Sequence, residues 1–371
     1  MHVYIYLCLS VFICVHLCSS VVKILKINFT CPKKISDDFH AHGILSFGKI
    51  LLALITLAFW GCGSDKPNAP PSDRPESPSK STLTAAKIGG KLTLNWFPEV
   101  EHGGYFQAFS LDHPELGIAI EPGGPDIPVI QKVALGQSLL GITGADDVVN
   151  AQAQGADVVA LFAPIHKNPR CLMLHADSPM NSMDQIKNIT LALSSRPAFS
   201  HWLRHRYTLE NVAIVPYPGS IASFVQNKNF AQQAYNISEP FLAQQAGLKT
   251  KLIMVSDLGF NPYASVLITH RKNLSTRKDE LKAIVLAAQQ GWINYLKNGQ
   301  ASHNIIHQLN PHMKLDILDF GHAELQKLCA DPIDPKFGSM SVERWQTLIE
   351  QMADCGLIKE NAVKADQCFN L

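Results

Sequence analysis

The sequence predicts an α/β protein of two lobes, each a mainly parallel sheet flanked by helices. Three observations carry that prediction. From Lys91 onward short apolar runs alternate with stretches of helical spacing, the pattern of βαβ units. A second alternating block opens at Ile189 and is followed by one long strand and a largely helical return, as expected of two lobes joined by crossover strands. A chain of 371 residues is also too long for one small core.

Taken in order, Lys91–Leu94 is the first strand, and it ends in Asn95-Trp96-Phe97-Pro98 and His102-Gly103-Gly104-Tyr105. Leu116–Ile120 is a strand that runs into the turn-rich stretch Glu121–Pro128. Val129–Leu135 has helical spacing. Leu139–Thr143 is strand-like, and Gly144-Ala145-Asp146-Asp147 caps a helix that continues through Ala153. Val158–Ala163 and Cys171–His175 are further strands, and Asp184–Asn188 is a helical piece. In the second block Ile189–Leu193 is a strand, Ser194-Ser195-Arg196-Pro197 its exit and Ala198–Arg206 a helix. Tyr217-Pro218-Gly219 is a turn, Ala234–Phe241 ends a strand and enters a helix, and Pro262–Thr269 is the long strand. Beyond Lys278 the spacing is helical over Glu280–Leu296, Ala301–Leu309, Ile317–Cys329 and Val342–Cys355, with Trp292 and Trp345 as core anchors.

In such sheets ligands sit beyond the carboxyl ends of the strands. Asn95–Tyr105, Gly123–Asp126 and Gly144–Asp147 all occupy that position, so separate strand ends converge on one rim. Trp96, His102 and Tyr105 are flat groups able to stack on a planar ligand and hydrogen-bond its edge. The same aromatics would equally serve as a core cluster beside a turn. Ser194, Ser195 and Arg196, at the start of a helix, suit an anion or a polar ligand edge, or simple capping with a surface arginine. Asp146 and Asp147 read as a helix cap and a second acid rather than an acid/base dyad. The chain has no P-loop, HExxH or GxSxG, and its 15 histidines are scattered. No catalytic residue, cofactor or metal is therefore expected.

Two apolar segments precede this region. Met1–Val22 carries no formal charge and is long enough to span a bilayer. Lys49, the apolar run Ile50–Trp60 and Gly61-Cys62 match a secretory signal. The cysteine after a small residue resembles a bacterial lipoprotein signal, in which the Cys62 thiol is acylated, and residues 1–45 then precede the true start. The alternative is a single-span anchor formed by Met1–Val22. The Pro- and Ser-rich stretch from Ser64 to Pro78 cannot bury enough surface to fold and reads as a tether. A net charge of +1 gives no nucleic-acid footprint. Of nine cysteines only Cys171, Cys329, Cys355 and Cys368 lie in the folded region, with no CxxC pair. Cys329, Cys355 and Cys368 leave room for one disulfide in an oxidising compartment.

Several ordered phrases together resemble the substrate-binding proteins of bacterial ABC importers, in the branch of thiamine-pyrimidine, sulfonate and nitrate binders. They are Asn95–Pro98 with His102-Gly103, Pro122–Pro125, Gly141–Asp147, Asn236–Pro240, Gly259–Tyr263 and Glu343-Arg344-Trp345. The resemblance covers about Lys91 to Leu357. It implies a type II periplasmic-binding-protein fold that closes on ligand by a hinge motion. It implies residues 1–62 as an export signal region, 63–88 as tether, 89–175 with 264–371 as lobe 1, and 176–263 as lobe 2. By the same resemblance Trp96 and Tyr105 would flank a planar ring, and His102, Asp146, Glu239 and Tyr263 would be polar contacts. Gly123 and Gly124 would let the backbone approach the ligand. The partners implied are a small-molecule ligand, a permease and its ATPase, with the protein anchored to the membrane in the periplasm or at the cell surface. Fungal relatives that act as synthases carry a cysteine-rich iron motif, which this chain lacks.

The first loop carries aromatics, Glu99, Glu101 and His102 but no Arg or Lys, and only Lys167, Arg170 and Arg196 lie near predicted strand ends. A sulfonate or nitrate would want buried cationic donors. The expected ligand is therefore a planar amino-substituted heterocycle, a thiamine pyrimidine precursor such as hydroxymethylpyrimidine. The alternatives are a sulfonate- or nitrate-type ligand, or a pyrimidine-metabolism enzyme on the same lobes.

Overall fold

The computed structural model describes residues 87–370. The expected signal, the Cys62 acylation site and tether residues 63–86 lie outside the described residues. Among those described, no helix is long and apolar enough to cross a membrane.

The strands in chain order are β1 Gly90–Thr93, β2 Ile118–Glu121, β3 Leu140–Thr143, β4 Val158–Phe162, β5 Arg170–His175, β6 Thr190–Ala192, β7 Ala213–Val215, β8 Phe230–Tyr235, β9 Thr250–Met254 and β10 Val266–His270. They form two five-stranded sheets, ordered β2-β1-β3-β10-β4 and β7-β6-β8-β5-β9. Both sheets follow one plan. A single strand, β10 in the first and β5 in the second, runs antiparallel to both its neighbours while the rest share a direction. Each is the strand laid down just after the chain has crossed from one lobe to the other. The mainly parallel sheets follow from the sequence: β3 and β4 are buried along their whole length, as strands covered on both faces by helices must be.

The helices are α1 Gly103–Phe106, α2 Val129–Ala134, α3 Ala145–Ala153, α4 Ala198–Arg206, α5 Ala222–Gln226, α6 Glu239–Gln245, α7 Asn273–Thr276, α8 Lys278–Lys297, α9 Gln300–Leu309, α10 Leu315–Leu325 and α11 Val342–Asp354. In α8 the residues Leu281, Ile284, Ala288, Trp292 and Tyr295 repeat at helical spacing and are all buried. Asp279 and Glu280 sit in its first turn and Lys297 in its last, matching the helix dipole. One core fills the first lobe, around Leu92, Phe106, Ile142, Leu267 and Trp292. A second lies on one face of the second sheet, around Met173, Phe224 and Ala243. A third passes from Val148 in α3 through Trp345 and Met352 in α11 to Trp202 in α4. The C-terminal helix α11 therefore packs on both lobes.

Several expectations are corrected. The first crossing comes earlier than His175: β5 lies inside the second sheet, paired to β8 and β9, so Arg170–His175 belongs to lobe 2. An apolar run reveals a buried strand but not which sheet it joins. The loop expected at Asn95–Tyr105 is partly helical, a 3-10 turn at Val100–His102 continuing into α1. Its glycine pair is there for packing, since a Cβ at Gly103 would lie 2.1 Å from the Tyr295 ring and one at Gly104 2.1 Å from the Trp292 ring. The long strand is shorter than Pro262–Thr269, because Pro262 and a left-handed Ser265 (φ 52°) delay pairing until Val266. The helical piece expected at Asp184–Asn188 is only a 3-10 turn, Met183–Gln185, that begins one residue earlier and ends at Gln185. Cys171, Cys329, Cys355 and Cys368 are all free thiols, so no disulfide joins them.

Candidate functional site between the lobes

The carboxyl ends of β1, β3, β6 and β8 lead into the segments that carry the chemistry. β1 leads into Asn95–His102, β3 into Gly144–Asp147, β6 into Ser194–Arg196 and β8 into Tyr235–Glu239. The first two belong to one lobe and the last two to the other.

His102 is fully buried and neutral. The Glu99 backbone N–H donates to its Nδ1 at 3.2 Å, which leaves Nε2 to donate to Asn95 Oδ1 at 2.9 Å. Burial holds its pKa down to about 3. Glu101, 2% exposed, places Oε1 3.6 Å from His102 Nε2. Burial pushes the Glu101 carboxyl up to about 7, partly offset by Arg170 and Asn95. Glu99 is raised well above the ordinary carboxylate range by burial, then by Glu101 and by Glu239 from the opposite lobe. Asp146 stands in the first turn of α3, behind an N-cap that is Gly144 rather than an aspartate. Its carboxyl is pushed up to about 6 by burial and by Asp147, with Arg170 opposing. Asp147 is exposed and accepts from Thr143 Oγ1 at 2.9 Å.

The second lobe answers with Arg170, at the start of β5. Its guanidinium lies 4.8 Å from the Phe199 ring centroid and 5.1 Å from that of Tyr235. Burial alone would lower its pKa, and Tyr235, Asp146, Asp147 and Glu101 together raise it. Glu239, the first residue of α6, accepts from Tyr217 Oη at 2.7 Å, from the Tyr235 N–H at 2.9 Å and from Ser238 Oγ at 2.5 Å. Glu101, Asp146 and Asp147 thus act on one guanidinium, and the buried Glu99 is raised by Glu101 beside it and by Glu239 from the opposite lobe. Buried like charges are tolerated only by taking up protons or by gaining a cation.

The other expected residues divide. Trp96 is 41% exposed and Phe97 48%, their rings 5.5 Å apart edge to face, so an accessible aromatic pair flanks Asn95. Tyr105 does not flank a ligand: it is fully buried, edge-on to Trp292 and Phe162, and its hydroxyl donates to the Ser265 carbonyl at 2.6 Å. Tyr263 is buried at the hinge, where its Oη accepts from the Ser341 N–H at 3.2 Å. Gly123 lies against protein backbone rather than open space, since a Cβ there would sit 2.0 Å from the Leu94 carbonyl oxygen. A Cβ at Gly124 would make only ordinary contact, 3.6 Å from Phe97. Ser194 is held by Gln233, whose Oε1 accepts its N–H at 2.6 Å and whose Nε2 donates to its Oγ at 2.9 Å. Ser195 and Arg196 are exposed. Sequence reasoning did not place Tyr217 and Tyr235 at the site, and noted Arg170 only as lying near a strand end. Among the described residues no group of three or more His, Cys, Asp or Glu side chains is arranged to hold a metal ion.

Solved structures share the fold. The periplasmic aliphatic sulphonate binding protein SsuA of Escherichia coli matches with a TM-score of 0.59 at 13% identity, over 76% of this chain and 91% of that one. The alkanesulfonate-binding protein SsuA of Xanthomonas axonopodis pv. citri, bound to MOPS, matches at 0.56 and 12% identity, over 77% of this chain and 99% of that one. The ligand binding component of an ABC-type import system from Staphylococcus aureus, with zinc bound, matches at 0.55 and 14%, over 76% and 96%. At such identities the likeness is one of architecture, the two-lobed periplasmic-binding-protein fold. A search of the curated proteins finds no match. A family model described as NMT1/THI5 like matches residues 101–302, more than half of the chain and most of the segments just described. The chain belongs to the NMT1/THI5-like family.

Proposed function

We propose that this protein is the extracytoplasmic solute-binding component of an ABC importer. It takes a small planar, amino-bearing heterocycle between its lobes, a thiamine pyrimidine precursor of the hydroxymethylpyrimidine kind. It hands that ligand to a permease and its ATPase, and it is held at the membrane through an acylated Cys62. The observation that carries the reading is the charge balance of the interlobe site: Glu101 and the Asp146-Asp147 pair of the first lobe act on a single guanidinium of the second, Arg170, and Glu99 lies near enough to Glu239 of the second lobe to be raised by it. An amino-substituted ring offers N–H donors or a proton to those acids and a face to Trp96. Closure of the lobes would remove water and strengthen each of these contacts. No reacting pair is needed for this role.

A sulfonate ligand is the second reading, favoured by Arg170 and by two structural neighbours that are sulfonate-binding proteins. Titration of the full chain with an aminopyrimidine, followed by calorimetry, separates the two. Trp96→Ala and Asp146→Asn should each weaken that binding at least tenfold, about 1.4 kcal/mol. Unchanged affinity in both variants would remove the proposed site, and binding of alkanesulfonates alone would support the second reading.

A further inference from the structure

We propose that Arg344 is the positioning residue of the hinge: one guanidinium ties the outgoing and the returning crossing segments together and so sets the balance between open and closed lobes. Arg344 lies in the first turn of α11, where its N–H donates to the N-cap hydroxyl of Ser341 at 3.3 Å. Its side chain donates to the Asn261 carbonyl from Nε at 3.0 Å and from Nη2 at 2.8 Å, and Nη2 also reaches the His166 carbonyl. The guanidinium carbon stands 3.8 Å from the centroid of the Tyr263 ring. His166 belongs to the segment that leaves the first lobe between β4 and β5. Asn261 and Tyr263 belong to the segment that returns between β9 and β10.

The two segments also bond to each other. Ile165 bridges Ala264, Asn168 Nδ2 donates to the Pro262 carbonyl at 3.0 Å, and Asn261 Oδ1 accepts the Asn168 N–H at 2.8 Å. Those contacts would move with the hinge as one unit. Arg344 is different, because it anchors that unit to a helix packed on both lobes. Among the described residues no carboxylate lies within ion-pair distance of its guanidinium, so the charge is directed wholly at carbonyls and a ring. A planar fork of N–H donors can hold two carbonyls and stack at once, which an ammonium cannot do. The side chain is half-buried and lines a surface depression of about 360 Å³ together with Gly259, Ser341 and Gln351. Hinges concentrate their motion in a few backbone positions. Gly259 (φ 106°) and Ser265 (φ 52°), on either side of the clamped stretch, are the left-handed positions where the returning segment bends.

The functional meaning rests on the proposed closure around a ligand, but the clamp is testable without any ligand. Amide hydrogen exchange of the full chain, ligand-free, is compared for the native protein, Arg344→Lys and Arg344→Ala. The alanine variant should exchange at least tenfold faster over residues 163–169 and 255–265, with β1 and β8 unchanged. The lysine variant should show the same local pattern in smaller measure, and it carries the test if the alanine variant does not fold. Acceleration spread evenly over both sheets, or none at the crossings, would overturn the proposal. Failure to bind an aminopyrimidine would count against the proposed function while leaving the exchange result intact.

Discussion

Replacing Glu101 with glutamine should stabilise the ligand-free protein at high pH and weaken its grip on an amino-bearing ligand. Glu101 is buried, and its carboxyl is held at about 7 against an ordinary 4.5. The fold therefore binds this proton more tightly than the unfolded chain does. Stability from this group is fully present below the ordinary value and is lost as pH rises through about 7. Ionising it at pH 8 costs on the order of 3 kcal/mol. Glutamine keeps the volume without the charge and so recovers most of that cost. For a chain of this size the gain corresponds to a rise in Tm of roughly 5 °C at pH 8. At pH 5, where the native carboxyl is protonated, the two proteins should melt within about 1 °C of each other. Asp146, also raised by burial, titrates alike in both proteins, and removing the Glu101 charge also relieves Glu99, which Glu101 raises, so the difference in pH slope reports Glu101 together with its effect on Glu99. Thermal melts across that range provide the assay. A Glu101→Gln protein that melts lower than the native one at pH 8, or is shifted equally at both pH values, would refute the reasoning.

Tyr105→Phe leaves the Ser265 carbonyl without its hydroxyl partner and should cost about 1–3 kcal/mol in urea unfolding. Ligand affinity should change by less than about threefold, unlike Trp96→Ala, because Tyr105 belongs to the core. Gly123→Ala drives a methyl into the Leu94 carbonyl, 2.0 Å away, and should destabilise by at least about 1–3 kcal/mol through strain in the backbone below the aromatic pair. Alkylation in denaturant without reductant, read by peptide mass mapping, should label Cys171, Cys329, Cys355 and Cys368 completely, and a protected pair would contradict the four free thiols.

Much of the architecture is legible in local pattern. Wholly buried runs such as Leu140–Thr143 and Val158–Phe162 announce strands covered on both faces, and helix Ala198–Arg206 falls where its spacing puts it. The edge strand β7 escapes because Ala213–Val215 is short and mostly exposed, and β9 because Thr250–Met254 is mostly half-buried and carries a lysine. Helix α1 escapes because a glycine pair argues against a helix until Tyr295 and Trp292 are seen to need the missing Cβ atoms. At the site the residue types were readable but their depth was not. Glu99 and Glu101 looked like ordinary loop acids, which are mostly exposed, and only the converging strand ends bury them. Tyr105 carried the same aromatic signal as Trp96, yet one faces Trp292 and the other solvent. Arg170 could be placed only once β5 was known to lie in the second sheet.

The most direct test is a thermal-shift panel on the full chain against aminopyrimidines, alkanesulfonates, nitrate and polyamines at neutral pH. A ligand at about 100 times its Kd adds roughly 2.7 kcal/mol, a shift of several degrees. Shifts confined to the aminopyrimidines are the predicted result, as the acids around Arg170 require. Shifts confined to sulfonates or nitrate would contradict the account and make Arg170 an anion-binding group.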